Sequence, residues 1–194
     1  MSETPQSAAT TSKPPVTSPS VTRLVEWAAI IGVAVALSLV VRVYVFQTFY
    51  IPSGSMEPTL LIGDRIIIDK LAVDFGTINR GDVVVFHAPP AVASQCGDAD
   101  ADLVKRVVAV PGDHISSTGD SIVINGTVLQ ERWPHNEPLG PAIHPTTVKS
   151  GEYFVVGDNH NNSCDSRFWG MVPKSNMIGK VFLRVWPLNR ISWL

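Results

Sequence analysis

The chain has 194 residues, a formal net charge of −2 and 45% hydrophobic residues, enough for one domain with a real core. So small a charge leaves no electrostatic footprint for nucleic acid. Two cysteines and five histidines without metal-ligand spacing point to no metal and no cofactor.

Residues 2–20 hold five Ser, four Thr and four Pro. Such a segment cannot bury enough surface to offset its ordering entropy, so a disordered tail is expected over 1–23. Trp27 to Val41 then runs for fifteen residues without a charge. As a helix it spans roughly 22 Å, short of a hydrocarbon core of ~30 Å. Continuing past Arg42, whose charge would snorkel to the headgroups, gives a transmembrane helix over 24–46. Phe46, Phe49 and Tyr50 then form an interfacial girdle, with Trp27 at the other end. A cleaved secretory signal and a buried soluble helix are the competing readings. Bulky aromatics, not a small-x-small site, follow the run, and it is apolar all round. Lys13 and Arg23 before the span and Arg42 after it barely orient it.

From Ile62 onward the pattern is short β-type runs broken by turn residues. Arg65–Lys70 and Val83–Phe86 each follow a Gly-Asp turn, and Val104–Val110 stops at Pro111-Gly112. Ser121–Ile124, Asn125-Gly126 and Thr127–Gln130 spell a hairpin. Tyr153–Val156 and Lys180–Trp186 complete the set. Residues 131–150 hold four prolines and show no period, so a long surface excursion is expected there. The fold class is mainly β: one N-terminal transmembrane helix, then an antiparallel domain over 47–194, a coiled sheet or partly open barrel.

Three stretches carry chemistry. The first is Ile51-Pro52-Ser53-Gly54-Ser55-Met56-Glu57-Pro58-Thr59-Leu60, where prolines break any helix and Gly54 permits a tight turn. The second is Lys105-Arg106-Val107-Val108-Ala109-Val110-Pro111-Gly112-Asp113, and the third Gly157-Asp158-Asn159-His160-Asn161-Asn162-Ser163-Cys164-Asp165-Ser166-Arg167. A serine hydroxyl needs a base to take its proton. Of His87, His114, His135, His144 and His160, only His160 lies in a motif-like stretch, and no Gly-x-Ser-x-Gly elbow is present. Lys105 is the better partner because its neighbours are apolar. Burial there would lower its pKa from ~10.4, and a base for neutral pH wants a shift of roughly 3 units, about 4 kcal/mol.

With the apolar run before them, these stretches resemble the type I signal peptidases, serine proteases with a Ser–Lys dyad, in the family's order from about Glu26 to Leu194. The resemblance implies Ser55 as nucleophile and Lys105 as general base. It implies an oxyanion hole from the Ser53 hydroxyl and the Ser55 N–H, and Ser163 orienting the lysine. Asp165 and Arg167 resemble a supporting ion pair, and Asp158 and Asn159 the scaffold of their loop. His160, Asn161 and Cys164 depart from the commonest pattern, and His160 remains a rival base. The implied substrates are secretory preproteins, cut after Ala-x-Ala, whose extended chain adds as a strand beside Ile51–Ser55 and Asp102–Val104. Leu103 and Val104 are candidate lining. The implied location is the bacterial cytoplasmic membrane, single-pass, N-terminus cytoplasmic and catalytic domain outside, as a monomer against the bilayer. One anchor and a compact domain look like the shorter, Gram-positive-type members.

Cys96 precedes Lys105 by nine residues and Cys164 adjoins Ser163. Outside the cytoplasm they can form a disulfide; the alternative is two free thiols. Trp133, Trp169, Trp186 and Trp193 are candidates for core packing or a membrane-facing patch. Two other functions compete: a Ser–Lys autoprotease of the repressor-cleaving type, and a membrane-anchored binding module without chemistry. The anchor ahead of Ser55 argues against the first. The second leaves three ordered motifs unexplained.

Overall fold

The computed structural model describes residues 21–96, 102–136 and 138–194, so most of the tail expected over 1–23 lies outside the described residues. Contacts divide the chain into two units, Met1–Leu39 and Val40–Leu194.

The described part of the first unit is helical, within α1 (Val21–Tyr44), and its large apolar side chains are exposed. Arg23 and Glu26 before it and Arg42 after it confine the uncharged run to Trp27–Val41. Among the described residues no helix is long and apolar enough to cross a membrane. The helix also stops earlier than 46. Phe46–Tyr50 is strand β1, paired along its whole length with β2 (Arg65–Asp69) from Phe46↔Asp69 to Tyr50↔Arg65. Aromatic and β-branched side chains fit that pleated edge better than a helix end.

The second unit is mainly β, and its described residues include the short α-helices α2 (Leu71–Asp74), α3 (Pro90–Cys96) and α4 (Ser166–Trp169). The remaining strands are β3 (Val83–His87), β4 (Asp102–Ala109), β5 (His114–Thr118), β6 (Ser121–Ile124), β7 (Thr127–Val128), β8 (Thr146–Thr147), β9 (Glu152–Val156), β10 (Val172–Pro173), β11 (Met177–Trp186) and β12 (Ser192–Trp193). The larger sheet runs β1-β2-β11-β3-β4-β9-β10, with β12 on β11, and every pairing is antiparallel. β3 is central, and Val83 to Phe86 are buried on both faces, which is why it reads as an unbroken apolar run. β2 alternates instead, with Ile66 and Ile68 inward.

The smaller sheet runs β7-β6-β5-β8. Its hairpin turns on Asn125 (φ 52°) and Gly126 (φ 80°), the left-handed pair that a two-residue turn between twisted strands requires. Residues 131–150 are exposed over most of their length, as expected of a surface excursion, and are pinned at three points. Leu139, Ile143 and Val148 are buried with Ile115, Ile122 and Phe154, and β8 pairs with β5. Single apolar anchors hold this strap down without any period.

One detail positions the site. β3 pairs with β4 over Asp102–Arg106, whereas β9 pairs with it only over Arg106–Ala109. Among the described residues, Asp102–Lys105 therefore has a strand on one side only.

Candidate active site

Ser55 lies in a single 3₁₀ turn, Gly54–Met56, between two extended residues. Ile51, Met56 and Leu60 sink into the core beside Ile66, Ile68 and Val83, so burial on both sides fixes the turn. Backbone bonds between Ile51 N and Asp64 O, and between Gly63 N and Ile51 O, close its base.

Lys105 approaches from β4. It is 3% exposed, and its Nζ hydrogen-bonds Ser55 Oγ at 2.6 Å across fifty positions of sequence. Ser53 Oγ stands 3.5 Å from Ser55 Oγ. The third stretch clamps the turn from below. Asn159 donates its N–H to the Ser55 carbonyl (3.1 Å) and its amide to the Gly54 carbonyl (3.0 Å). Two of the turn's three carbonyls are thereby held by one residue.

Asp165 organises that loop. Its carboxylate accepts from Gly157 N (3.0 Å), Ser163 Oγ (2.7 Å), and Nε and Nη2 of Arg167 (2.7 Å each). The Asp165 and Arg167 side chains have no exposed surface. A pair so enclosed survives because its lone pairs and protons are used; Arg167 also donates to the carbonyls of Leu139 and His160. Ser163 thus has its hydroxyl on Asp165. Its Oγ and the Ser55 carbonyl both crowd Gly157, where an added Cβ would overlap them.

Asp158 accepts from Nε and Nη2 of Arg106 and from the Thr59 hydroxyl, while Arg106 also donates to Gly81 O and stacks over Trp133 at 5.0 Å. Nothing in the reading of the sequence assigned Arg106, Thr59 or Gly157. The available signal was a second basic residue, Arg106, inside an apolar run. His160 is buried, with Nε2 3.6 Å from the Glu131 carboxylate and its ring 5.3 Å from that of His135. Cys96 and Cys164 form a disulfide between α3 and this loop, with Cα atoms 6.2 Å apart. Trp169 is core, Trp133 half-buried, and Trp186 and Trp193 exposed.

A cleft of about 300 Å³ runs from Ser55 and Lys105 back to Phe49 and Asp102, with Leu103 and Val104 along one wall. Two other hollows of about 460 Å³ contain neither Ser55 nor Lys105. No group of three or more metal-ligating side chains occurs among the described residues. A hydroxyl against a buried amine, in a cleft beside an open strand edge, is suited to acyl transfer on an extended chain.

Comparison with known proteins places the chain among the peptidases. Residues 24–186 match the family model described as signal peptidase, peptidase S26. The chain is 39% identical to the signal peptidase I of Leptolyngbya laminosa, over 99% of this chain and 92% of that one. It is 34% identical to the signal peptidase I of Bacillus caldolyticus, over 83% and 91%. A crystal structure of a signal peptidase I from Enterococcus faecalis V583 is similar over 54% of this chain and 96% of that one, at 27% identity and a TM-score of 0.43. The chain belongs to the signal peptidase family, peptidase S26.

Proposed function

We propose that the chain is a membrane-bound serine endopeptidase that cuts signal peptides from exported preproteins after a small-x-small motif. Ser55 is the nucleophile and neutral Lys105 its general base. The observation that carries this is the 2.6 Å contact between Lys105 Nζ and Ser55 Oγ, with the lysine almost wholly buried. Burial disfavours the ammonium form and so leaves the amine a lone pair for the serine proton. Ser55 Oγ attacks the scissile carbonyl, and Lys105 passes the proton to the leaving amine. Water then attacks the acyl-enzyme with Lys105 again as base. The Ser55 N–H and the Ser53 hydroxyl, 3.5 Å from Ser55 Oγ, stabilise the oxyanion. Ser163 orients the lysine amine, while Asp158, Asn159, Asp165 and Arg167 hold the supporting loop.

The preprotein adds as a strand to the open edge of Asp102–Lys105, where main-chain bonds give affinity and Leu103 and Val104 limit side-chain size. α1 anchors the chain in the bacterial cytoplasmic membrane, N-terminus inside and the β domain outside. The support is the uncharged run Trp27–Val41, apolar all round. Trp186 and Trp193 are exposed, and Trp193 packs on Phe182, which packs on Phe46. This apolar surface suits contact with lipid.

The test uses full-length protein in detergent and a preprotein carrying Ala-x-Ala before the mature start. Wild type, Ser55→Ala, Lys105→Ala and His160→Ala are compared, with the cut mapped by N-terminal sequencing. Cleavage after the last Ala is expected from wild type and His160→Ala only. Activity kept by Lys105→Ala and lost in His160→Ala would overturn the assignment of the base.

A further inference from the structure

We infer that Asp102 is a charge-reading residue of the cleft, selecting preproteins with Lys or Arg, over Glu or Asp, at the fourth or fifth residue before the cut. The inference rests on the proposed Ser55–Lys105 site and names a specificity that the small-x-small rule does not contain.

Of the side chains lining the cleft, only Asp102 and Lys105 are of a type that carries full charge near neutral pH. They lie at opposite ends of its β4 wall. Three residue steps of strand separate them, roughly 10 Å at ~3.3 Å per residue. If Lys105 works as a neutral amine, Asp102 is the one formal charge an extended substrate meets there. Val104 packs towards Ile51 and Met56, and alternation puts Asp102 on that same face, two residues further out.

The carboxylate is held in place. Asp102 faces His87 across the β3–β4 register, and its Oδ1 lies 2.7 Å from His87 Nδ1. His87 is fixed in turn, because Asn176 donates its amide to the His87 carbonyl (3.1 Å). His87 occupies one carboxylate oxygen; the Asp102 side chain keeps 37% of its surface exposed. The other oxygen therefore remains as an acceptor on a side chain that is partly exposed and lines the cleft. Seated with its cut bond at Ser55 and its upstream half laid along Asp102–Lys105, as the inference requires, a peptide would carry its fourth and fifth upstream residues past this carboxylate. A basic side chain gains an exposed ion pair, and an acidic one meets like charge. Exposed pairs of this kind are worth about 0.2–1 kcal/mol, so the preference should be about two- to fivefold.

The experiment measures kcat/KM on Ala-x-Ala preproteins bearing Lys, Gln or Glu at the fourth residue before the cut, and a second set at the fifth. The quantity read is each enzyme's own Lys-to-Glu ratio, so a general loss of rate cancels. Wild type should favour Lys about two- to fivefold over Gln, and Gln over Glu, at one position or both. Asp102→Asn should bring the ratio to about one, and Asp102→Lys should invert it. If a variant folds poorly, salt carries the test in wild type: the ratio must shrink towards one between about 20 and 500 mM NaCl. A ratio of one in wild type at both positions, an unchanged ratio in Asp102→Asn, or a salt-independent preference overturns the inference. Failure to cut even the Gln preproteins, or cutting that survives Ser55→Ala, counts instead against the Ser–Lys reading.

Discussion

Arg106 and Asp158 meet in a two-pronged ion pair, Nε–Oδ1 2.8 Å and Nη2–Oδ2 2.6 Å, with side chains only 8% and 1% exposed. Arg106 follows Lys105 directly and Asp158 precedes Asn159, so the pair ties the strand of the amine to the clamp on the serine turn. Removing one partner strands a buried charge. Arg106→Met should cost about 3–5 kcal/mol in urea unfolding. The double variant with Asp158→Leu should recover part of that loss. An additive double variant would mean that the two residues do not act as a pair.

Gly157 separates Ser163 from the Ser55 carbonyl with no room for a Cβ. Gly157→Ala should displace the serine turn by about an ångström. Misplacement of that order costs up to about 10²-fold in rate, so kcat should fall steeply while KM changes little. Steady-state kinetics alongside the near-UV circular dichroism of the folded protein would check this. Full activity would show that the loop yields.

Asp113 sets a pH limit on the stability of the smaller sheet's base. Burial works against its charged form. Hydrogen bonds from Arg80, the Val110 N–H and Asn125, with the Arg80 charge, outweigh that and hold its pKa below the ordinary carboxylate value. A depressed folded pKa gives stability that is fully present above the unfolded pKa of ~3.9 and is lost as pH falls through the folded value. Asp113→Asn should therefore lower Tm at pH 7, and its difference from wild type should shrink below about pH 4. A difference that stays constant with pH would assign the residue a role in packing alone.

The Cys96–Cys164 bridge closes a loop of 68 positions that contains Lys105. In the chain-entropy model such a loop is worth about 4 kcal/mol. Cys96→Ala with Cys164→Ala should lower stability by that order. In wild type, thiol blocking before electrophoresis should leave both cysteines unlabelled until reductant is added. Labelling without reductant would mean that the thiols are free in solution.

Much of the β framework was legible because its central strands are apolar runs bounded by Gly-Asp turns: Val83–Phe86 after Gly81-Asp82 is the clearest. The stretch around Ser55 was legible as a tight turn from Pro52, Gly54 and Pro58. β1 was not, because its aromatics continue an apolar helix and only pairing with β2 makes them a strand. The pinning of the strap over 131–150 escaped because Leu139, Ile143 and Val148 are separate anchors whose burial depends on β5 and β6 being in place. Arg106 with Asp158, and His160 with Glu131, are contacts across long stretches of chain, and a buried polar contact leaves no local pattern at either end.

Among the described residues, strand β4 is paired on both sides along one half of its length and on one side along the other. A peptide lying against the singly paired half would be a guest strand, held chiefly by amide groups that every polypeptide owns. Such a seat is generous by construction, so discrimination falls to the few side chains that must fit beside Leu103 and Val104. It is also temporary. On the proposed mechanism, a cut at Ser55 would leave the upstream fragment with a shorter hold than the intact chain had, and the edge would reopen for the next substrate.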